Sequence, residues 1–290
     1  MRHAAALILL ALFAVTTLHA ATEAELIAAA KAALDRDDNE KAADLLEQAI
    51  KINPRNPETH LMLASAYGDL AQKAGIFKQA SLGKKAKAEL ERTVELDPRN
   101  FEARNGLISF YLMAPGIIGG SEEKALEQAA EIRKIDALRG HRAYARVYIT
   151  QKKPELARKE AVEAVREAPN SAPAHYFLGN MWFNDKNWPN ALHEYDYALK
   201  LDATFMPAKF RIGAVAAESG TNQARGEELL KEYLAYKPGD EEPRLVSAWF
   251  YLGKLYEKMG RKADAKQAYV NAQKLAPKSK EVAEALKRVS

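Results

Sequence analysis

Cysteine is absent from the 290-residue chain, which excludes disulfides, thiolate nucleophiles, cysteine-ligated zinc and iron–sulfur clusters together. Whatever holds the chain together is packing. An excess of one charge sign is missing too. The 43 Lys plus Arg face 39 Asp plus Glu for a formal net charge of +4, well short of the basic face that a dedicated nucleic-acid binder carries. The sequence contains no Gly-x-Ser-x-Gly, no glycine-rich loop ending in Gly-Lys-Ser or Gly-Lys-Thr, and no His-Glu-x-x-His, so the usual hydrolase, phosphate-loop and zinc-protease signatures are lacking. Long hydrophobic runs are confined to the amino end. What is present, 48% apolar and 28% charged residues, belongs to a folded chain rather than to a disordered polymer or a membrane bundle.

The amino end opens with Met1-Arg2-His3, continues through an apolar run over residues 4–15, and reaches small residues at Ala20 and Ala21 before the polar Thr22-Glu23. A basic start, a short apolar stretch and small residues at the break make a secretory signal peptide over residues 1–20, cleaved near Ala20. The alternative is an uncleaved anchor, but the run falls short of the roughly 20 residues that span a bilayer. The expectation is an exported protein, periplasmic in a Gram-negative bacterium or secreted, with no stable membrane insertion after cleavage.

A fixed spacing runs through the remainder. Trp249, Leu252-Gly253, Tyr256, Ala265, Tyr269, Ala272 and Pro277 recur in frame as Leu178-Gly179, Trp182, Ala191, Tyr195 and Ala198. They recur again as Leu63-Ala64, Tyr67, Ala86, Leu90 and Pro98, with about ten extra residues in between. Ala30, Ala42, Leu46, Ala49 and Pro54 form an earlier copy, and Tyr144-Ala145, Tyr148, Ala157, Ala161, Ala164 and Pro169 another. Two copies are degenerate: Ala137 stands where one closing proline belongs, and Gly226 replaces an alanine. The small residues Ala64, Gly179 and Gly253 are expected to face Ala86, Ala191 and Ala265, letting two helix axes approach closely. The prolines stop the second helix of each pair.

The spacing resembles the tetratricopeptide repeat (TPR), a pair of antiparallel helices of about 34 residues. The resemblance implies an all-α, right-handed helical solenoid of seven repeats beginning near residues 23, 57, 101, 138, 172, 206 and 246 over a single domain, 21–290. Each hairpin leaves an apolar face that only the next can cover. A last helix over 278–290, with Val282, Leu286 and Val289 on one side, caps the final face.

Candidate chemistry is sparse. His60, His141 and His175 share one repeat position, the fourth residue of a first helix. A metal column on His141 and His175 is conceivable, but a semi-buried packing site explains the position better, and no metal or cofactor is expected. Acidic pairs such as Asp240-Glu241-Glu242 read as solvated charge, and no enzymatic activity is expected. Segments 75–85 and 113–121 depart from the repeat and are read as inserted loops. Gly119-Gly120-Ser121 before a helix can cap it through Ser121 or present backbone N–H groups to an anion. Ile117-Ile118 either tucks against a neighbour or touches a partner.

In TPR proteins the first helices line a concave groove that receives a peptide or partner helix. Arg139, Arg142 and Arg146 form a basic stripe on one such helix, with Asn105 and Ser109 on one side and Tyr176 and Asn180 on the other. Arginine forks suit carboxylates, so the expected partner is a protein or peptide with an acidic segment. The arrangement loosely resembles the carboxylate-clamp TPR domains but lacks their lysine-and-asparagine pairing. A solvated charged face balanced by glutamates such as Glu102 is the alternative. Phe210 and Phe250 are expected to anchor apolar groups. The resulting reading is a protein-interaction scaffold of the cell envelope. The rival is a small-ligand or glycan binder that closes a pocket with Tyr176, Trp182 and the inserted loops.

Overall fold

The computed structural model describes residues 21–290; the expected signal segment lies outside the described residues. Among the described residues the chain is all helix, with no strand. The helices are α1 (Glu23–Leu34), α2 (Asn39–Ile52), α3 (Pro57–Lys73), α4 (Ile76–Leu96), α5 (Phe101–Met113), α6 (Glu122–Ile135), α7 (Ala137–Thr150) and α8 (Pro154–Glu167). They continue as α9 (Ala172–Asn184), α10 (Trp188–Leu201), α11 (Met206–Ser219), α12 (Gln223–Leu234), α13 (Leu245–Lys258), α14 (Lys262–Leu275) and α15 (Lys280–Arg288).

Local chemistry sets the helix starts. Thr22 and Glu25 close a reciprocal capping box on α1, and the Asn56, Asp136, Ser171 and Ser279 side chains accept first-turn N–H bonds of α3, α7, α9 and α15, which satisfies donors that a helix cannot pair internally. Prolines occupy the first turns of α3, α8, α9, α10 and α11, where the missing N–H costs nothing.

The chain divides into two compact units. One comprises residues up to Phe110 together with 117–119, the other residues 111–116 and 120–290. In the first, Ala30, Ala42, Leu46, Leu63, Tyr67 and Ala86 form the core of the α1–α4 hairpins, and the Tyr67 hydroxyl donates to Glu47. The segment expected as an inserted loop at 75–85 is helical instead. Apart from Gly75, the N-cap, it forms the first turns of α4, which reaches 21 residues. Its alanine, leucine and lysines favour a helix, and Leu82 gives the added turns a buried contact.

In the second unit the hairpins pack through alanine and a tyrosine or leucine lock. A methyl group added to Gly179 would lie 2.5 Å from the Tyr195 ring, and one on Gly253 would lie 2.6 Å from Tyr269. The glycines therefore make room for tyrosines four residues beyond the alanines they were expected to face. Gly213 does the same for Leu230, at 2.3 Å. The last helix covers the final hairpin: Ala285 and Val289 join the cluster of Tyr256, Ala265 and Tyr269.

Candidate groove on α7 and the adjoining cavity

The Asp136 carboxylate accepts the Arg139 N–H at 2.8 Å and starts α7, after which a spacing of three and four residues puts Arg139, Arg142 and Arg146 on one face. Arg139 Nη1 donates to Glu241 Oε1 at 3.1 Å. Arg142 lies over the Phe177 ring at 6.0 Å. Burial pushes the Arg142 guanidinium below its ordinary value, opposed by Tyr176 and Glu241, and burial lowers Arg146 as well. Both arginines are partly buried. Among the described residues no carboxylate lies within ion-pairing distance of Arg142.

Glu241 comes from an unexpected place. Residues 235–244 between α12 and α13 form a ten-residue strap with no helix of its own. Tyr233 Oη donates to the Pro243 carbonyl at 2.5 Å, and Gly239 N–H donates to Glu242 Oε2 at 2.8 Å. So held, the strap carries Glu241 to Arg139, 102 positions away in sequence.

Beside the stripe lies a cavity of about 360 Å³ lined by Tyr176 from α9, Phe210 and Arg211 from α11, Glu241, Glu242 and Pro243 from the strap, and Ser247 and Tyr251 from α13. Tyr176 lies near the charges of both Arg142 and Arg211, so its hydroxyl links the stripe to the cavity. Asn180 accepts the Tyr195 hydroxyl at 2.9 Å. Asn105 and Ser109 sit on α5, with the Ser109 hydroxyl donating to the Asn105 carbonyl at 3.0 Å.

The two expected anchors pack against neighbouring rings. Phe210 is only 3% exposed and packs on Tyr233 and Tyr251 at 5.2 and 5.6 Å. Phe250 is half-buried against Tyr251 and Tyr269 and serves the last hairpin. Sequence reasoning missed Arg211 and Tyr251. The signal was present one residue later in each helix: Phe210 and Phe250 stand three residues before Gly213 and Gly253, and the residues that follow them, Arg211 and Tyr251, line the cavity.

The histidines are structural locks. His60 reaches Glu89 at 2.5 Å and the Pro54 carbonyl at 3.1 Å; His175 reaches Glu194 at 2.7 Å and the Pro169 carbonyl at 3.0 Å. His141 reaches Glu160 and Glu167 at 2.7 and 3.3 Å. Both nitrogens of each ring are thus engaged, and no metal-binding group of side chains occurs among the described residues.

The 113–121 segment is a short 3-10 turn followed by the Ser121 cap, whose hydroxyl accepts Lys124 N–H at 3.2 Å. Gly120 is required there, because a methyl group would lie 1.7 Å from the Ala114 carbonyl oxygen. Gly119 adopts φ 108°. Ile117 is 94% exposed, so it does not tuck into the fold, whereas Ile118 is partly covered. Of the parts of the rival pocket, segment 75–85 is mainly helix, and Trp182 is half-buried under the Arg158 guanidinium at 4.8 Å.

Known proteins bear on this geometry. The tetratricopeptide repeat family matches at residues 23–66, 142–204 and 246–279. Protein NPG1 of Arabidopsis thaliana is 31% identical over 109 residues, 36% of this chain, and the chain spans only 15% of that protein. Among solved structures, a tetratricopeptide repeat protein from Parabacteroides merdae superposes with a TM-score of 0.56 at 15% identity, over 92% of this chain and 98% of that one. A human IFIT1 dimer with m7Gppp-AAAA superposes at 0.59 and 18% identity, over 92% and 62%. Yeast Tom70 does so at 0.56 and 15%, over 87% and 58%. At these identities the structural likenesses speak for the fold alone. Three tetratricopeptide repeat matches, helical hairpins throughout the described residues and neighbours of the same architecture show that the chain is built of tetratricopeptide repeats, a fold that generally mediates protein–protein interaction.

Proposed function

We propose that this protein is a non-enzymatic interaction scaffold of the bacterial cell envelope, exported by its amino-terminal segment, which holds an acidic segment of a partner protein against α7. The observation that carries the reading is Arg142: a partly buried guanidinium on the stripe with no carboxylate in ion-pairing distance among the described residues. A buried charge without a counter-ion is unfavourable, and a partner carboxylate would supply one in bidentate geometry. Arg146 extends the stripe by one turn. Ordered helices present these groups in advance, so binding sacrifices little conformational entropy on this side.

In-cell crosslinking from positions beside Arg142 and Arg146, with mass spectrometry of the captured peptides, identifies the client. The double substitution Arg142→Glu and Arg146→Glu is expected to weaken its binding roughly tenfold or more while helicity stays unchanged. Unaltered affinity in that variant refutes the groove. Fractionation with a tag at the carboxyl end tests export, and recovery of the full-length chain in the cytoplasm refutes the envelope assignment.

A further inference from the structure

The cavity beside the stripe has an unmet charge requirement. Arg211 is largely covered, and Tyr176, Tyr195 and Tyr251 surround its charge. Its guanidinium lies over Phe183 at 4.8 Å and Phe210 at 5.8 Å, and its covered Nε has no hydrogen-bond acceptor. Among the described residues no carboxylate forms an ion pair with it. Neutral hydroxyls and ring faces moderate a buried positive charge but do not neutralise it.

The strap carboxylates in the same cavity are committed elsewhere. Glu241 pairs with Arg139, while Glu242 accepts the Gly239 N–H and bonds the Tyr236 hydroxyl. The cavity thus combines one guanidinium without a counter-ion with carboxylates contributed from the strap, and Tyr176, Phe210, Tyr251 and Ser247 complete its lining. We propose that it binds an amino-acid-sized zwitterion, whose carboxylate pairs with Arg211 and whose ammonium is directed to the strap. A dianion such as phosphate is disfavoured by the negative charge of Glu241 and Glu242 beside the guanidinium. The volume of about 360 Å³ is at the small end of ligand sites and suits one residue rather than a folded partner. The site does not depend on the groove reading, since a client on Arg142 and Arg146 need not enter it.

Thermal shift in carboxylate-free buffer, with each proteinogenic L-amino acid added singly, selects a ligand. Titration calorimetry then compares it with its N-acetyl and amide derivatives and with inorganic phosphate. One-site saturable binding is expected, weakened roughly tenfold or more by Arg211→Gln and by amidation of the ligand, and weakened by N-acetylation. Because Arg211→Gln removes a buried group, Ser247→Phe serves as a second variant: it fills the cavity while leaving Arg211 in place, and is expected to abolish binding with unchanged helicity. The proposal is overturned if no amino acid binds the unmodified protein, if binding survives both variants, or if phosphate binds more tightly than every amino acid.

Discussion

At the residue scale the second unit rests on glycines that accommodate rings. Tyr195 and Tyr269 are fully buried, and each ring occupies the space where a methyl group on Gly179 or Gly253 would stand. Core space of this kind cannot take an added methyl without displacing the ring. Gly179→Ala is therefore expected to lower stability by about 1–3 kcal/mol, read as a reduced urea midpoint with an unchanged slope; a neutral outcome would mean that the Tyr195 ring moves freely. The small positions were legible from the repeat frame, but the side chains opposite them were not. Spacing tells which stripe a residue lies on, whereas the size of its neighbours decides whether Phe210 turns inward and Arg211 meets the cavity.

At the element scale each histidine lock joins a first helix to its partner or to the preceding connection. In α7 and α8, His141 engages Glu160 and Glu167, and Arg133 of α6 also reaches Glu167 at 2.7 Å. The hydrogen bond from His141, with that from Arg133, holds the Glu167 carboxyl below its ordinary value of 4.5 against the opposing effect of burial. A lowered carboxyl stabilises the fold above its unfolded value and loses that contribution as pH falls through the folded one. Glu167→Gln is accordingly expected to be less stable than the parent at neutral pH and to show a shallower fall in urea midpoint below pH 4.5. Parallel curves for the two proteins would remove Glu167 from the acid response. The histidine position itself was legible as packing, because one residue type recurring in frame marks a shared environment. Its glutamate partners were not, since they lie on other helices at separations of 19 to 29 residues.

At the scale of the whole molecule, hairpins within each unit pack on their chain neighbours, and stability in such arrays approximates a sum of local terms. α15 closes the last hairpin with buried Val282, Ala285 and Val289. Deleting residues 278–290 is expected to cost roughly 3 kcal/mol from lost apolar burial. Hydrogen exchange is expected to quicken in α13 and α14 while α1 to α4 stay as protected as before. Uniform acceleration along the chain would show instead that it unfolds as one cooperative block.

The sequence by itself determined the helical hairpins, their capped starts and the TPR spacing, because those depend on periodicity and on neighbours a few residues away. It also placed the basic stripe on α7, since Arg139, Arg142 and Arg146 share a face of one helix. Tertiary structure alone decided that the Asp240-Glu241-Glu242 run belongs to a strap, that Glu241 pairs with Arg139, and that Arg211 faces a cavity without a counter-ion. Those contacts join distant hairpins, and the distance between side chains on separate hairpins follows from how the hairpins stack, which no fixed spacing along the chain encodes.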